Sequence, residues 1–427
     1  MITIERIRLF SNSKEYLQFF ILSFFFFCLS LLYEYYNYTK LHEFDTYITD
    51  AVVLRQYTKT KADGSKRSYQ VLKLKSDEGF SFYTIASHKT PNYRAKKITI
   101  EFYTDKISFL AYLKGFFAYG KILSEQTTTP LRAEIAQKLE KIHPNSSIAA
   151  LYKALFLALP MPNELQQHLS ALGVSHLLAL SGFHLSVLFG ILFYLFKYPY
   201  SYLQQNYFPY RNRQRDLFFL IAPLLALYLY FVGSPPSLLR AYVMLLIIFY
   251  LYDRGVALFS MQTLFIVILL LIALSPKMLF SIGFLLSVSG VFYIFLFLKL
   301  FAHLNKRWQF VLLPLWVYLM MLPFSLYLFG NFSLYHPLSI LLTALFSIFY
   351  PLSLLIHIVG FGDIFDGVLE FLLTLDTHAL KIDLPREWFY AHIALSLATL
   401  YKKKLLLLLL FEALSASVYA IYYVTEF

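Results

Sequence analysis

The sequence predicts a polytopic α-helical membrane protein with an N-terminal signal anchor and an external OB-like β-barrel domain. Hydrophobic residues make up 59% of the 427-residue chain and charged residues only 15%, outside the usual composition of a soluble domain. Apolar runs close to the length of a hydrocarbon core recur from residue 175 onward. From about 45 to 125 the pattern instead alternates with a period of two, as half-buried strands do.

The first element is the anchor, residues 1–36. Arg6, Arg8 and Lys14 precede the apolar run from Leu17 to Tyr33, and Glu34, Tyr35, Tyr36 and Asn37 follow where a cleavage site would need small residues. The segment is therefore expected to stay attached, N-terminus inside, with the next segment outside. The single cysteine, Cys28, excludes an intrachain disulfide and a thiolate zinc site.

Residues 45–125 form the external domain. Tyr47–Thr58, Arg67–Ser76, Gly79–Ala86, Lys96–Tyr103 and Phe116–Ser124 read as five strands, enough for an OB-like barrel, with a small β-sandwich as the other solution. Between 50 and 121, fourteen basic residues face six acidic ones, a net charge of +8. Positive charge outside is not explained by the positive-inside rule. Arg55, Lys59, Lys66, Arg67, Lys73, Lys75, Arg94, Lys96 and Lys97 interleave with aromatics, Tyr83 among them. That mixture suits a groove that attracts a nucleic-acid backbone and stacks unpaired bases; strand-core aromatics beside a solvated lysine face are the plainer alternative.

Residues 130–172 are expected to be amphipathic helices on the outer membrane face, broken at Pro144 and Pro160-Met-Pro162. The multi-span domain, 175–427, is expected to cross at 175–196, 216–232, 235–252, 256–274, 278–299, 309–329, 387–401 and 405–424. Lys197 with Arg211, Arg213 and Arg215, then Asp253-Arg254, then Lys299, Lys306 and Arg307, and Lys402–Lys404 mark the inner loops. Crossing parity then leaves one apolar stretch too many. Pro337 and Pro351 single out 335–360 as a re-entrant pair of half-helices, with 361–385 as an external amphipathic segment.

Polar residues and chain breaks at membrane depth are functional candidates. His176 and Ser181-Gly182-Phe-His184 lie at the mouth of a long apolar segment; on an unbroken helix the two histidines would share a face. Ser234, Pro235 and Arg240 begin another span, where a helix N-terminus and a guanidinium fork favour a phosphate. Helix packing and a lipid-bound arginine are the structural alternatives. Gly115–Ile122 imitates a phosphate loop but places Ile122 where Ser or Thr must bind magnesium. A hydrolase built on Ser181 and His184 lacks a nearby carboxylate. No catalytic residue, metal site or cofactor is assigned.

The order of these blocks resembles the ComEC family of competence channels. Ala154–Leu159 and Leu169–Val174 resemble the approach to its Ser-Gly-x-His signature, and Gly233–Ala241 its Ser-Pro-Ser-x-x-Arg-Ala helix start. Leu274–Ser287 and Phe329–Ser339, the latter with Asn331, resemble its two later blocks. The resemblance implies an inner-membrane channel that moves single-stranded DNA into the cytoplasm during natural transformation, with an OB-like domain outside. It implies a DNA path past His176, Ser181, Gly182, His184, Ser234, Pro235, Arg240 and Asn331. The metallo-β-lactamase-like domain of longer relatives, with its His-x-His-x-Asp-His run, has no counterpart in this sequence. A periplasmic or surface DNA receptor, a cytoplasmic translocase or single-strand-binding protein, and membrane lipid are the expected partners. A transporter or flippase for an anionic lipid or cell-wall precursor is the alternative function.

Overall fold

The computed structural model describes residues 12–60, 68–88, 90–91, 93, 96–126, 130–178, 180–256, 260–375, 377 and 379–426. The chain is predominantly helical and forms two compact units, Phe10–Lys138 with Phe265–Leu285, and Leu139–Leu264 with Leu286–Phe427.

The first unit starts with α1, Ser13–Leu41. Its rise of about 44 Å exceeds a hydrocarbon core, and Phe24, Phe25 and Phe26 stay exposed on it, as lipid-facing side chains do. Strands β1 (Thr46–Thr60), β2 (Ser68–Ser76), β3 (Ser81–Ser87) and β4 (Lys97–Tyr103) follow, then α2 (Phe109–Lys114), β5 (Phe116–Phe117) and β6 (Gly120–Gln126). They make one sheet in the order β5-β3-β2-β1-β4-β6, antiparallel except for β3 with β5. Leu72, Leu74, Phe82, Ile98, Ile100 and Phe102 point inward at alternate positions and are fully buried, the two-residue period realised in three strands.

The paired sheet is open, with β5 and β6 as its ends, so a closed OB-like barrel is not shown. The sequence pattern anticipates one last strand, whereas the structure divides it at Ala118-Tyr119. The first part pairs with β3 and the second with β4. Gly120 opens β6 because a Cβ there would stand 2.7 Å from the Glu101 carbonyl oxygen.

A partly buried ion pair ties this unit together. Lys277, in the 3-10 turn Pro276–Phe280, lies 2.7 Å from Glu34 of α1 and 4.5 Å over the Tyr112 ring of α2. Its ammonium group also donates to the Tyr112 hydroxyl at 3.2 Å. Breaking one side strands a partly buried charge, so Glu34→Gln should cost about 3 kcal/mol, the low end for a buried pair. The Glu34→Gln, Lys277→Met double variant should regain most of that loss in a thermal melt.

The second unit takes its helices in chain order. After α3 (Pro130–Ile142), which reaches it from the first unit, come α4 (Ser146–Leu157), α5 (Asn163–Ala171), α6 (Ser175–Leu178) and α7 (Gly182–Tyr207). Next are α8 (Arg213–Phe231), α9 (Pro236–Asp253), α10 (Met261–Leu274), most of which belongs to the first unit, α11 (Ile282–Leu300), whose first turn does too, and α12 (Lys306–Phe329). Short strand β7 (Asn331–Phe332), α13 (Ser339–Val359), α14 (Asp366–Thr374), short strand β8 (Leu380–Lys381), α15 (Arg386–Thr399) and α16 (Leu406–Glu426) complete it. Seven helices in the described residues are long and apolar enough to cross a membrane: α1, α7, α8, α11, α12, His336–Val359 and Lys403–Glu426.

Four expectations about this unit change. The span expected at 175–196 begins at Gly182, and His176 sits on the separate turn α6. Within 335–360, Ser339–Val359 is one continuous helix through Pro351 instead of two half-helices; a single missing N–H costs less than leaving the ends of two half-helices unsatisfied. The stretches 256–274 and 387–401 contain α10 and α15, each only 14 residues long. Finally, α4 is a core helix rather than a surface one, with Ile148–Tyr152 and Ala154–Leu157 buried.

Candidate functional site

Ser181 is the N-cap of α7, and its Ser-Gly-x-His run closes a capping box on itself. The Ser181 backbone N–H donates to His184 Nδ1 at 3.2 Å. The imidazole thus fills the place that Glu or Gln takes in the usual box. His184 is fully buried, edge-on to Tyr350 at 4.5 Å and Phe346 at 5.6 Å, and its Nε2 has no hydrogen-bond partner among the described residues. It does not line an open surface. The helix break foreseen at Ser181-Gly182 is instead the helix start.

This assigns His184 a positioning role with a direct test. His184→Gln should keep most of the stability because glutamine restores the box, while His184→Ala should lose about 1–2 kcal/mol in a thermal melt. A glutamine variant as unstable as the alanine one would mean that the ring contacts with Tyr350 and Phe346, not the cap, hold the imidazole.

Two motif blocks meet at this cap. Ser237 of α9 donates to the Leu180 carbonyl at 2.5 Å, and a Cβ on Gly182 would lie 3.5 Å from the Ala241 Cβ. Between α8 and α9 the chain reverses through Gly233 and Ser234 in left-handed conformation, φ 83° and 49°. The Ser234 N–H satisfies the Leu229 carbonyl at 2.9 Å, and Pro235 is the N-cap of α9. Arg240 lies half-buried in the first turns of α9, next to the residue that faces Gly182.

The first and last blocks meet elsewhere in the same unit. Gly173, at φ +72°, packs so closely that a Cβ would be 3.0 Å from the Ser339 Cβ and 3.1 Å from the His336 carbonyl oxygen. Ser333 donates to the Ala171 carbonyl at 2.6 Å. His176 is exposed, its Nδ1 3.1 Å from the Gly173 carbonyl and its Nε2 3.3 Å from the Thr343 hydroxyl. Asn331 is exposed in β7, paired with Lys381. His176 and His184 are therefore parts of two contacts, not one histidine face.

On the sheet unit, the strand register makes one cross-strand row of Phe117, Tyr83, Lys73 and Arg55, and another of Ser81, Lys75, Val52 and Lys97. The Lys73 ammonium is 5.4 Å from the Tyr83 ring centre. Phe117 and Lys59 are exposed. Lys96 and Lys97 differ from that pattern: Lys96 pairs with Glu125, and Lys97 pairs with Asp77 and, at 3.8 Å, with Asp50. Hydrogen bonding to Asp77 raises the Lys97 pKa. Lys66, Arg67 and Arg94 lie outside the described residues.

Several polar groups had no motif to announce them. His143 is bonded to Asp366 at 2.9 Å and to His357 at 3.0 Å; His392, Glu412 and Tyr293 form a second cluster in the helices. Their partners lie 20 to 223 positions away in sequence, beyond any local pattern. At the expected inner loops, Arg211 holds Asp216 and Arg215 holds Asp253 through paired hydrogen bonds of 2.7–3.0 Å. No group of metal-binding side chains occurs among the described residues.

A family model described as Competence protein matches residues 160–425. No curated protein and no solved structure matches the chain.

Proposed function

The chain belongs to the ComEC/Rec2-like Competence protein family of DNA-uptake channels, and from this we propose that it conducts single-stranded DNA across the inner membrane into the cytoplasm. The family match over most of the helical unit carries the reading. A strain lacking the protein should grow normally and lose transformation by several orders of magnitude. Retained transformation with a defect in envelope lipid or cell-wall precursor would favour the flippase reading.

In this reading the DNA path passes His176, Arg240, Ser234, Pro235 and Asn331, while Ser181, Gly182 and His184 hold the helix starts that shape it. A phosphate arriving at α9 would meet the positive end of its helix dipole and the Arg240 fork. The sheet unit acts as an external, OB-like receiver, its split last strand reaching both β3 and β4 as strand five of such a barrel would. Lys59, Lys73, Lys75 and Arg55 attract the backbone and Tyr83 with Phe117 stacks bases. Lys96 and Lys97, already ion-paired, contribute little. For the full-length protein in lipid nanodiscs, log K for single-stranded DNA should fall with log salt at about 0.7 per phosphate contacted. Tyr83→Ala should cost about 1–3 kcal/mol of binding; salt-insensitive binding would remove this surface from the path.

Moving an anion toward a negative interior costs roughly 2.3 kcal/mol per charge per 100 mV. A cytoplasmic translocase or single-strand-binding protein would supply the work by holding the emerging strand, and a periplasmic or surface receptor would deliver it.

Helix α13 belongs on the outer side as a surface-lying helix. Pairing of β8 with β7 returns residue 380 to residue 331, so the segment between them crosses twice or not at all. Of its two helices, α14 has only nine residues, about 13 Å, and carries Asp366 and Glu370. Without that crossing, α15 brings the chain inside at Lys402. Single cysteines at Leu341 and Val359, introduced in a Cys28→Ser background, should both react with an impermeant thiol reagent from outside. Opposite sidedness would make α13 a true span.

A further inference from the structure

We propose that the gap between β3 and β6 in the sheet unit is a pocket for one base of the DNA strand, a site that rests on the reading of this unit as a receiver of single-stranded DNA. The gap follows from how the last strand divides. β5 pairs with β3 only at Phe82 and Tyr83, and β6 starts on β4 at Gly120. Beyond that point β3 and β6 leave two strand edges unpaired among the described residues. A cavity of about 320 Å³ lies there, walled by Leu72, Thr84, Ala86, Tyr93 and Ile122, within the size range of small-ligand sites. Tyr83 directly precedes Thr84, so the pocket adjoins the row proposed to stack bases.

Strand alternation decides what the two edges offer. The Tyr83 carbonyl accepts from the Ala118 N–H at 2.9 Å, so Ile85, two residues on, turns its own N–H and C=O to the same edge and into the gap. The Tyr119 carbonyl accepts from the Tyr103 N–H at 3.0 Å, so Tyr119 and Lys121 face β4 while Gly120 and Ile122 turn their backbone groups the other way. Ser87, next on the β3 edge, already gives its carbonyl to the Thr90 N–H at 3.0 Å. The open edge is therefore one residue long on β3 and two on β6, closed at one end by the Ala118 bond and at the other by the Thr90 turn. That is too short for an added peptide strand. A planar heterocycle with donors and acceptors along its rim fits it.

The side chains match such a ligand. Thr84 is 1% exposed, and its hydroxyl has no hydrogen-bond partner among the described residues. A hydroxyl both donates and accepts, as a base edge demands, and leaving it unmet in the interior is costly. Leu72, Ala86, Tyr93 and Ile122 belong to the apolar core and supply surface for the faces of the ring. The wall formed by Pro91 and Tyr93 is fixed in advance. Gln56 accepts from the Tyr93 N–H at 2.8 Å and donates to the Pro91 carbonyl at 2.9 Å, and Gln70 donates to the His88 and Thr90 carbonyls at 3.0 and 3.2 Å. A loop ordered beforehand lowers the cost of binding. Lys121 is exposed on β6 beside the gap, where it can attract the phosphate that stays outside.

The test compares two strands of equal length and charge, oligothymidylate and a fully abasic oligomer, on the full-length protein in lipid nanodiscs. Wild type should bind oligothymidylate more tightly. Thr84→Val keeps the shape and removes only the hydroxyl, so its thermal melt should equal or exceed that of wild type. Its affinity for oligothymidylate should fall about fivefold, the effect of one hydrogen bond, while that for the abasic strand stays unchanged. Ala86→Leu fills the cavity and should lose at least as much, again only for the strand with bases. Unchanged oligothymidylate affinity in Thr84→Val, or an equal loss for both strands, would overturn the pocket and leave the receiver reading in place. Equal binding of both strands by wild type would do the same, whereas binding of neither would overturn both.

Discussion

Gly182→Leu is expected to abolish DNA uptake, and Gly182→Ala to leave most of it intact. A Cβ at this position would meet Ala241 at 3.5 Å, an ordinary van der Waals distance, so alanine fits. Leucine adds branched carbons between α7 and α9 where Leu180 is already held by Ser237. Overpacking of this kind costs about 1–3 kcal/mol, and here it acts on the two helix starts proposed to border the DNA path. Transformation frequency at matched membrane levels is the measurement. Normal uptake in Gly182→Leu would mean that the contact between these helices does not shape the path.

Arg240→Gln is expected to be as severe, with the protein still present in the membrane. Arg240 is one residue from Ala241 and half-buried in the first turns of α9, so its removal affects the same place through charge instead of volume. Lysine separates two roles. It keeps the charge but cannot present two parallel N–H donors to one phosphate, so Arg240→Lys should recover only a small fraction of uptake. Full recovery would reduce the role of Arg240 to unspecific charge, and normal uptake in the glutamine variant would exclude it.

Local pattern accounts for what could be read early. Alternation across Leu72, Leu74 and Phe82 marked the sheet residues, and the apolar runs marked most long helices. The Ser-Pro-Pro-Ser segment marked a helix start, because prolines act through their immediate neighbours, whereas Ser-Gly-x-His pointed to a break within a helix where the structure has a capped start. The same logic overreached at Pro351. A proline can be accommodated within a helix when neighbouring turns and packing hold it, and nothing local distinguishes that from a break.

The sequence by itself determined a membrane protein with a long apolar segment near its N-terminus, a basic strand-rich unit and four ordered motifs that pointed to its family. Composition and short-range periodicity suffice for that, since they reflect transfer into lipid and neighbours a few residues apart. Only the tertiary structure decided that the motifs meet in pairs, Gly182 with Ala241 and Gly173 with Ser339. It also turned His184 inward as a helix cap and withdrew Lys96 and Lys97 into ion pairs with Glu125, Asp50 and Asp77. It joined His392 to Glu412 in the bundle, though neither belongs to a motif. A buried polar group must find its partner wherever packing brings one, and that choice depends on contacts between helices that are distant along the chain.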